Sequence, residues 1–150
     1  GAQKYDYVRI GLNPRLDTIQ AAILLEKIKI FKSELISRAD VAARYTKNLS
    51  QAVKTPILPL DCTSAWAQYT IRLEDRDYVR DKLASFGFPT AIYYPISLSQ
   101  QAGYSGAPRV SSGLSVSEML PTKVVSLPMH PYLKSDTQEE LIAYLLRSLA

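Results

Sequence analysis

The chain has 150 residues, enough for one domain with a real core and short of what two full domains need. Hydrophobic residues make up 47% and charged residues 21%, the balance of an ordinary globular fold rather than a disordered or fibrous chain. The net charge of +4 is diffuse, because its densest cluster, Lys27, Lys29 and Lys32, is interrupted by Ile28, Ile30 and Phe31. That pattern reads as a solvated helix face and argues against a nucleic-acid partner.

The chain opens "GAQKYDYVRIG", without Met, as a tag scar, a processed terminus or a cut inside a longer protein would. Its next stretch, "GLNPRLD", gathers Gly11, Asn13, Pro14, Arg15 and Asp17 just ahead of a helix former. Pro14 keeps the preceding residue extended, and Asp17 followed by Gln20 is a candidate N-cap with its capping-box partner. From Arg15 to Thr55 there is neither Gly nor Pro. Apolar residues at helical spacing continue through Ile19, Ile23 and Ile30, and then through Leu35, Ala39, Ala42, Tyr45 and Leu49. One very long helix or two joined near Lys32–Glu34 would satisfy this pattern. An unbroken helix of about 33 residues would extend ~50 Å, beyond a compact domain of this size, so its first turns would project.

The prolines of "TPILPLDCTSAW" end the helix. Cys62 within it is alone, so the chain has no disulfide framework; it is expected to be inert, in a reducing cytoplasm. "AWAQYTIRL" (65–73) predicts a strand, and "DRDYVRDKLASFG" a helix with Asp75 able to cap it and Gly87 ending it. "FPTAIYYP" (88–95) predicts a second strand, and residues 96–113 a long loop. "SVSEMLPTKVVS" predicts a short helix disturbed at Pro121, leading into an extended "SLPMHPYL" (126–133). "SDTQEELIAYLLRSL" predicts an amphipathic final helix with a Ser135–Gln138 capping box. No apolar run approaches the ~18 residues of a membrane span, and no basic-then-apolar leader is seen. The fold class expected is α+β: a long N-terminal helix or helix pair, then a small, roughly three-stranded sheet covered by helices.

Chemistry is sparse. One His and one Cys cannot assemble a zinc site without several carboxylates, and no such spacing is seen; phosphate-loop and nucleophile-elbow signatures are also missing. His130, between Met129 and Pro131, reads as a histidine satisfying local backbone groups. Asn13 and Arg15 are stronger candidates, since residues two apart in an extended segment point to one side. The planar Arg fork suits carboxylate or phosphate, and the Asn amide can donate to a phosphate oxygen. The bland alternative, a turn at Asn13 and an Arg15–Asp17 pair, stands beside it. Tyr93 and Tyr94 pose a similar choice: adjacent strand residues face opposite ways, leaving one for the core or an interface and one for a ligand.

Three segments, "GLNPRLDTIQAAIL" (11–24), "IYYP" (92–95) and "SLPMHPYL" (126–133), resemble the DegT/DnrJ/StrS family of sugar aminotransferases, and the resemblance spans essentially the whole chain. It implies the small C-terminal domain of a pyridoxal 5'-phosphate (PLP) enzyme of fold type I. Residues 1–15 would be an extended segment from a missing large domain, 16–54 a long helix or helix pair, and 55–150 the small α/β domain. By the same resemblance, Asn13 would reach the PLP phosphate of the partner subunit in a homodimer. Arg15 would bind the sugar substrate, and Tyr93 and Tyr94 would line a nucleotide-sugar pocket. The nearest likeness is to enzymes that aminate a UDP-linked 3-oxo sugar acid for surface polysaccharide synthesis. Ser97 and Ser99, however, stand where many members carry Pro and His. The Schiff-base lysine and its acidic partner belong, in the family, to the upstream domain, so no catalytic residue is expected here and the fragment alone would be inactive. Two other readings remain: a stand-alone small-ligand-binding module, or a dimerisation module without catalysis.

Overall fold

A computed structural model describes residues 4–12 and 17–149. Helix α1 spans Thr18–Lys27 and α2 spans Phe31–Leu49. Asp17 caps α1 as predicted: its Oδ1 accepts from the Ile19 and Gln20 amides at 2.8 and 3.3 Å. The long helix is therefore two, but the corner falls at Ile28–Ile30 rather than at Lys32–Glu34. Around it the backbone tightens to three-residue bonds, Lys29 N to Glu26 O and Ile30 N to Lys27 O, both 3.2 Å. No Gly or Pro marks the place. In a straight helix residues seven apart are ~10 Å apart along the axis; here Lys27 Nζ meets Glu34 Oε1 at 2.6 Å, and Tyr132 Oη donates to the same carboxylate. A residue distant in sequence thus secures the bend.

Strands β1 (Tyr69–Arg72) and β2 (Val124–Leu127) pair antiparallel, with Tyr69 opposite Leu127 and Arg72 opposite Val124. Helices α3 (Arg76–Ser85), α4 (Ser115–Met119) and α5 (Ser135–Ser148) complete the order. The α+β class expected from sequence is what the chain adopts, with a smaller sheet. The predicted 65–73 strand shortens to Tyr69–Arg72, and 88–95 contributes a single bridge, Ala91 to Ser126. Lys54 makes a matching bridge to Arg72 on the other edge. β2 stops at Leu127 because Pro128 has no N–H to continue the ladder.

The core forms where α2, α3 and α5 close on the sheet: Tyr45, Leu49, Tyr69, Ile71, Leu83, Val125, Leu141 and Leu145 are all fully buried. Its two tyrosines keep their hydroxyls bonded. Tyr45 Oη donates to Pro128 O at 2.9 Å, and Tyr69 Oη pairs with Thr46 Oγ1 at 2.7 Å. Burial pushes the Tyr45 hydroxyl well above its ordinary pKa.

Two predicted caps differ from what forms. Gly87, at φ +83°, ends α3 as expected, with Gly87 N bonded to Ala84 O and Phe88 N to Leu83 O, both 3.0 Å. Asp75 makes no side-chain cap bond at the other end of that helix. The Ser135–Gln138 capping box is also absent, because Gln138 is fully buried instead. Its Nε2 donates to Val41 O at 2.8 Å and its Oε1 accepts from Arg44, so a tertiary contact between α5 and α2 has displaced the local one. Among the described residues no helix is long and apolar enough to cross a membrane.

Candidate functional site

The segment from Tyr7 to Leu12, the stretch Tyr93–Leu98 that follows the Ala91 bridge, and Ser117 of α4 with Leu120 and Pro121 of the turn after it line a cavity of about 860 Å³. Tyr7, Tyr93, Tyr94 and Tyr104 give it aromatic walls, and Leu120, Pro121 and Val124 line it as well. Arg9 is its one charged residue among the described residues. The Tyr5 and Tyr94 rings meet edge to face at 5.5 Å, and Tyr93 and Tyr94 lie 6.1 Å apart.

Local contacts hold these walls. Arg76, buried at the start of α3, donates to Pro121 O and Val124 O at 3.1 Å, which fixes the turn after α4 and the start of β2. Ser97 Oγ lies 2.8 Å from Ser99 Oγ, which donates to Glu118 Oε1 at 2.8 Å. Arg109 closes the chain with bonds to Ser99 O at 2.8 Å and to Glu118. Ser97 and Ser99 thus tie the cavity's Ile96–Leu98 wall to α4.

Tyr93 and Tyr94 were expected to face opposite ways, as in a strand. Both line this one cavity, and both are partly exposed, because the chain leaves the sheet after Ala91 and strand alternation ends there. Asn13 and Arg15 lie outside the described residues. Gly11 and Leu12, just before them in sequence, line the cavity, and Asp17, just after them, is the N-cap of α1. His130 is exposed and away from the cavity; its carbonyl accepts from Leu133 N at 3.3 Å. Cys62 is exposed and free. Sequence reasoning missed Tyr7, Arg9 and Tyr104. Each had a visible signal, an aromatic or a cation in a segment otherwise read as loop or extended chain, with Tyr104 directly after Gly103.

The matches to known proteins cover nearly all of this geometry. The model of the DegT/DnrJ/EryC1/StrS aminotransferase family matches residues 1–146. The chain belongs to this family. Over 132 residues it is 43% identical to the UDP-2-acetamido-2-deoxy-3-oxo-D-glucuronate aminotransferase of Pseudomonas aeruginosa, a match that covers 87% of this chain and 36% of that protein. The crystal structure of a DegT/DnrJ/EryC1/StrS aminotransferase from Brucella abortus superposes with a TM-score of 0.85 at 46% identity, covering 98% of this chain and 39% of that one. DesV of S. venezuelae, solved with a ketimine intermediate, gives 0.82 at 28% identity, covering 99% and 41%. The chain therefore spans well under half the length of the relatives it matches.

Aminotransferases of this family depend on PLP, which needs a lysine for attachment and an acidic group at its pyridine nitrogen. Among the described residues, neither a lysine nor a carboxylate lines the aromatic cavity. Lys27, Lys29 and Lys123 are engaged with Glu34, Glu26 and Glu74. Among the described residues, the cavity thus offers no group to which PLP could be covalently attached.

Proposed function

We propose that the protein carrying this chain is a cytoplasmic PLP-dependent aminotransferase. It moves an amino group from glutamate onto a nucleotide-linked keto sugar for surface polysaccharide or lipopolysaccharide synthesis. The observation that carries this reading is the convergence of Tyr93 and Tyr94 with Tyr7, Tyr104 and Arg9 around one cavity. A nucleotide sugar offers flat rings to aromatic walls and oxyanions to a cation. The name of the P. aeruginosa relative makes a UDP-linked 3-oxo sugar acid the first substrate to test.

In this reading residues 1–15 belong with a large upstream domain, 16–54 lead away from it, and 55–150 form the small C-terminal domain. Asn13 binds the PLP phosphate held by the partner subunit of a homodimer, and Arg15 binds the sugar. Tyr93 and Tyr94 orient the nucleotide sugar and keep water from it. PLP, when bound, supplies the electron sink for amino transfer. Its lysine and acidic partner lie upstream, so the chain alone is inactive.

The test uses the intact protein with glutamate and a UDP-linked 3-oxo sugar, following 2-oxoglutarate release. Arg15→Ala is expected to weaken capture of the sugar about tenfold or more, the loss of a charge-assisted contact, while the glutamate half-reaction is unchanged. No turnover of any nucleotide-linked keto sugar by the wild type defeats the reading. Borohydride fixation of PLP onto one specific lysine of this chain would separately defeat the upstream placement of the lysine.

A further inference from the structure

Residues 4–12 contribute neither helix nor strand, yet they are tied to the short turns at Leu98–Gln100 and Ala102–Tyr104. Gln101, only 5% exposed within a Ser- and Gly-rich loop, directs both ends of its amide at this segment. Its Oε1 accepts from Tyr7 N at 3.1 Å and its Nε2 donates to Tyr5 O at 2.9 Å. One side chain thus gives the segment the two bonds that a neighbouring strand would offer.

Gly103 adds a third bond, from its amide to Tyr7 O at 2.8 Å. A Cβ at Gly103 would stand 2.9 Å from Tyr7 O and 3.2 Å from Arg9 N. Here the glycine serves close backbone approach, so any side chain would push the segment away. Two residues beyond Tyr7 comes Arg9, the charged residue of the cavity wall. Among the described residues no hydrogen bond or ion pair engages its guanidinium. A planar cation left uncommitted on an aromatic wall suits an oxyanion.

We propose that Gln101 and Gly103 are positioning residues: they latch residues 5–9 to the 98–104 turns so that Arg9 meets an oxyanion of the bound ligand. In a nucleotide sugar acid that oxyanion is either the diphosphate or the sugar carboxylate. The proposal rests on the nucleotide-sugar reading above and extends it to three residues outside the family motifs quoted there.

The experiment is calorimetric binding to the intact protein, with UDP-N-acetylglucosamine, its uronic acid, inorganic pyrophosphate and glucuronate as probes. Arg9→Gln is expected to weaken binding about tenfold, and Arg9→Lys to recover part of the loss by restoring charge without the fork. A loss shared by both nucleotide sugars and pyrophosphate assigns the diphosphate; a loss confined to the uronic acid and glucuronate assigns the carboxylate. Gln101→Leu and Gly103→Ala are expected to weaken the same probes and to speed tryptic cleavage after Lys4 and Arg9. Melting temperatures separate these effects from loss of the fold. If the latch acts through Arg9, Gln101→Leu adds nothing to Arg9→Gln in the double variant. Additive losses, or Arg9→Gln binding every probe like the wild type, overturn the proposal. A wild type that takes pyrophosphate or glucuronate but no nucleotide sugar overturns the functional reading and leaves the latch standing.

Discussion

Gln138 is where local and tertiary demands compete most visibly. Three residues after Ser135, it sits where a capping-box glutamine would if Ser135 were the N-cap, and sequence logic assigns it that task; the helix instead takes Lys134 as its N-cap. The folded chain buries it completely and sets its amide on Val41 O and Arg44, across to α2. A buried amide is stable only when both ends are satisfied, so the α2–α5 contact determines its rotamer. Gln138→Ala is expected to destabilise the fold by about 2 kcal/mol, the usual range for losing a buried hydrogen-bonding group together with its packing. Urea titration checks it: a midpoint shift with unchanged slope is the expected signature. A local capping role would predict a loss nearer the low end of cap substitutions, about 0.5 kcal/mol.

At the scale of elements, the α1–α2 corner depends on three side chains. The hydrogen bond from Lys27, and then that from Tyr132, hold the Glu34 carboxyl below its ordinary range. Their shared bonds to Glu34 raise Lys27 and Tyr132. Glu34, lowered in the folded state, stabilises fully above the ordinary carboxylate pKa, and that contribution fades as pH falls through the lowered value. Lys27 and Tyr132, raised in the folded state, contribute fully below their ordinary values, and their share is lost as pH climbs through the raised ones. The corner is therefore firmest between the carboxylate and the tyrosine ranges. Deuterium uptake in α1 is expected to be faster in Glu34→Gln than in the wild type near neutral pH. In strong acid, where both carry an uncharged side chain at this position, the two should converge. An acid-insensitive difference would mean that packing, not charge, holds the corner.

Across the whole molecule, α1 stands apart from the core. It buries none of its residues, and Ile19, Ile23, Leu24, Leu25 and Ile28 are all more than half exposed. Charged substitution on that face is therefore expected to leave the stability of this chain within about 0.5 kcal/mol of wild type. Ile23→Lys combined with Leu24→Glu should also raise its soluble concentration, since the patch it breaks is a liability for an isolated chain. Thermal melting with light scattering reads both. A large loss of stability would show that α1 packs on the domain.

What short windows encode was readable from sequence: helices in the right places, the Asp17 cap, the Gly87 stop, the short helix ahead of Pro121, the α+β class and the family motifs. Each rests on residues within a few positions of one another, where periodicity and turn chemistry act directly. Only tertiary structure decided the bend at Ile28–Ile30, the reduction of the 88–95 strand to one bridge, and the convergence of Tyr93 and Tyr94 on one cavity. It also decided the bonds from Gln101 to Tyr5 and Tyr7. In three of these four the partner is distant along the chain: Tyr132 for Glu34, Ser126 for Ala91, Gln101 for Tyr7. A pairing across most of the chain leaves no local pattern, because its energy is realised only once the core has brought the two ends together.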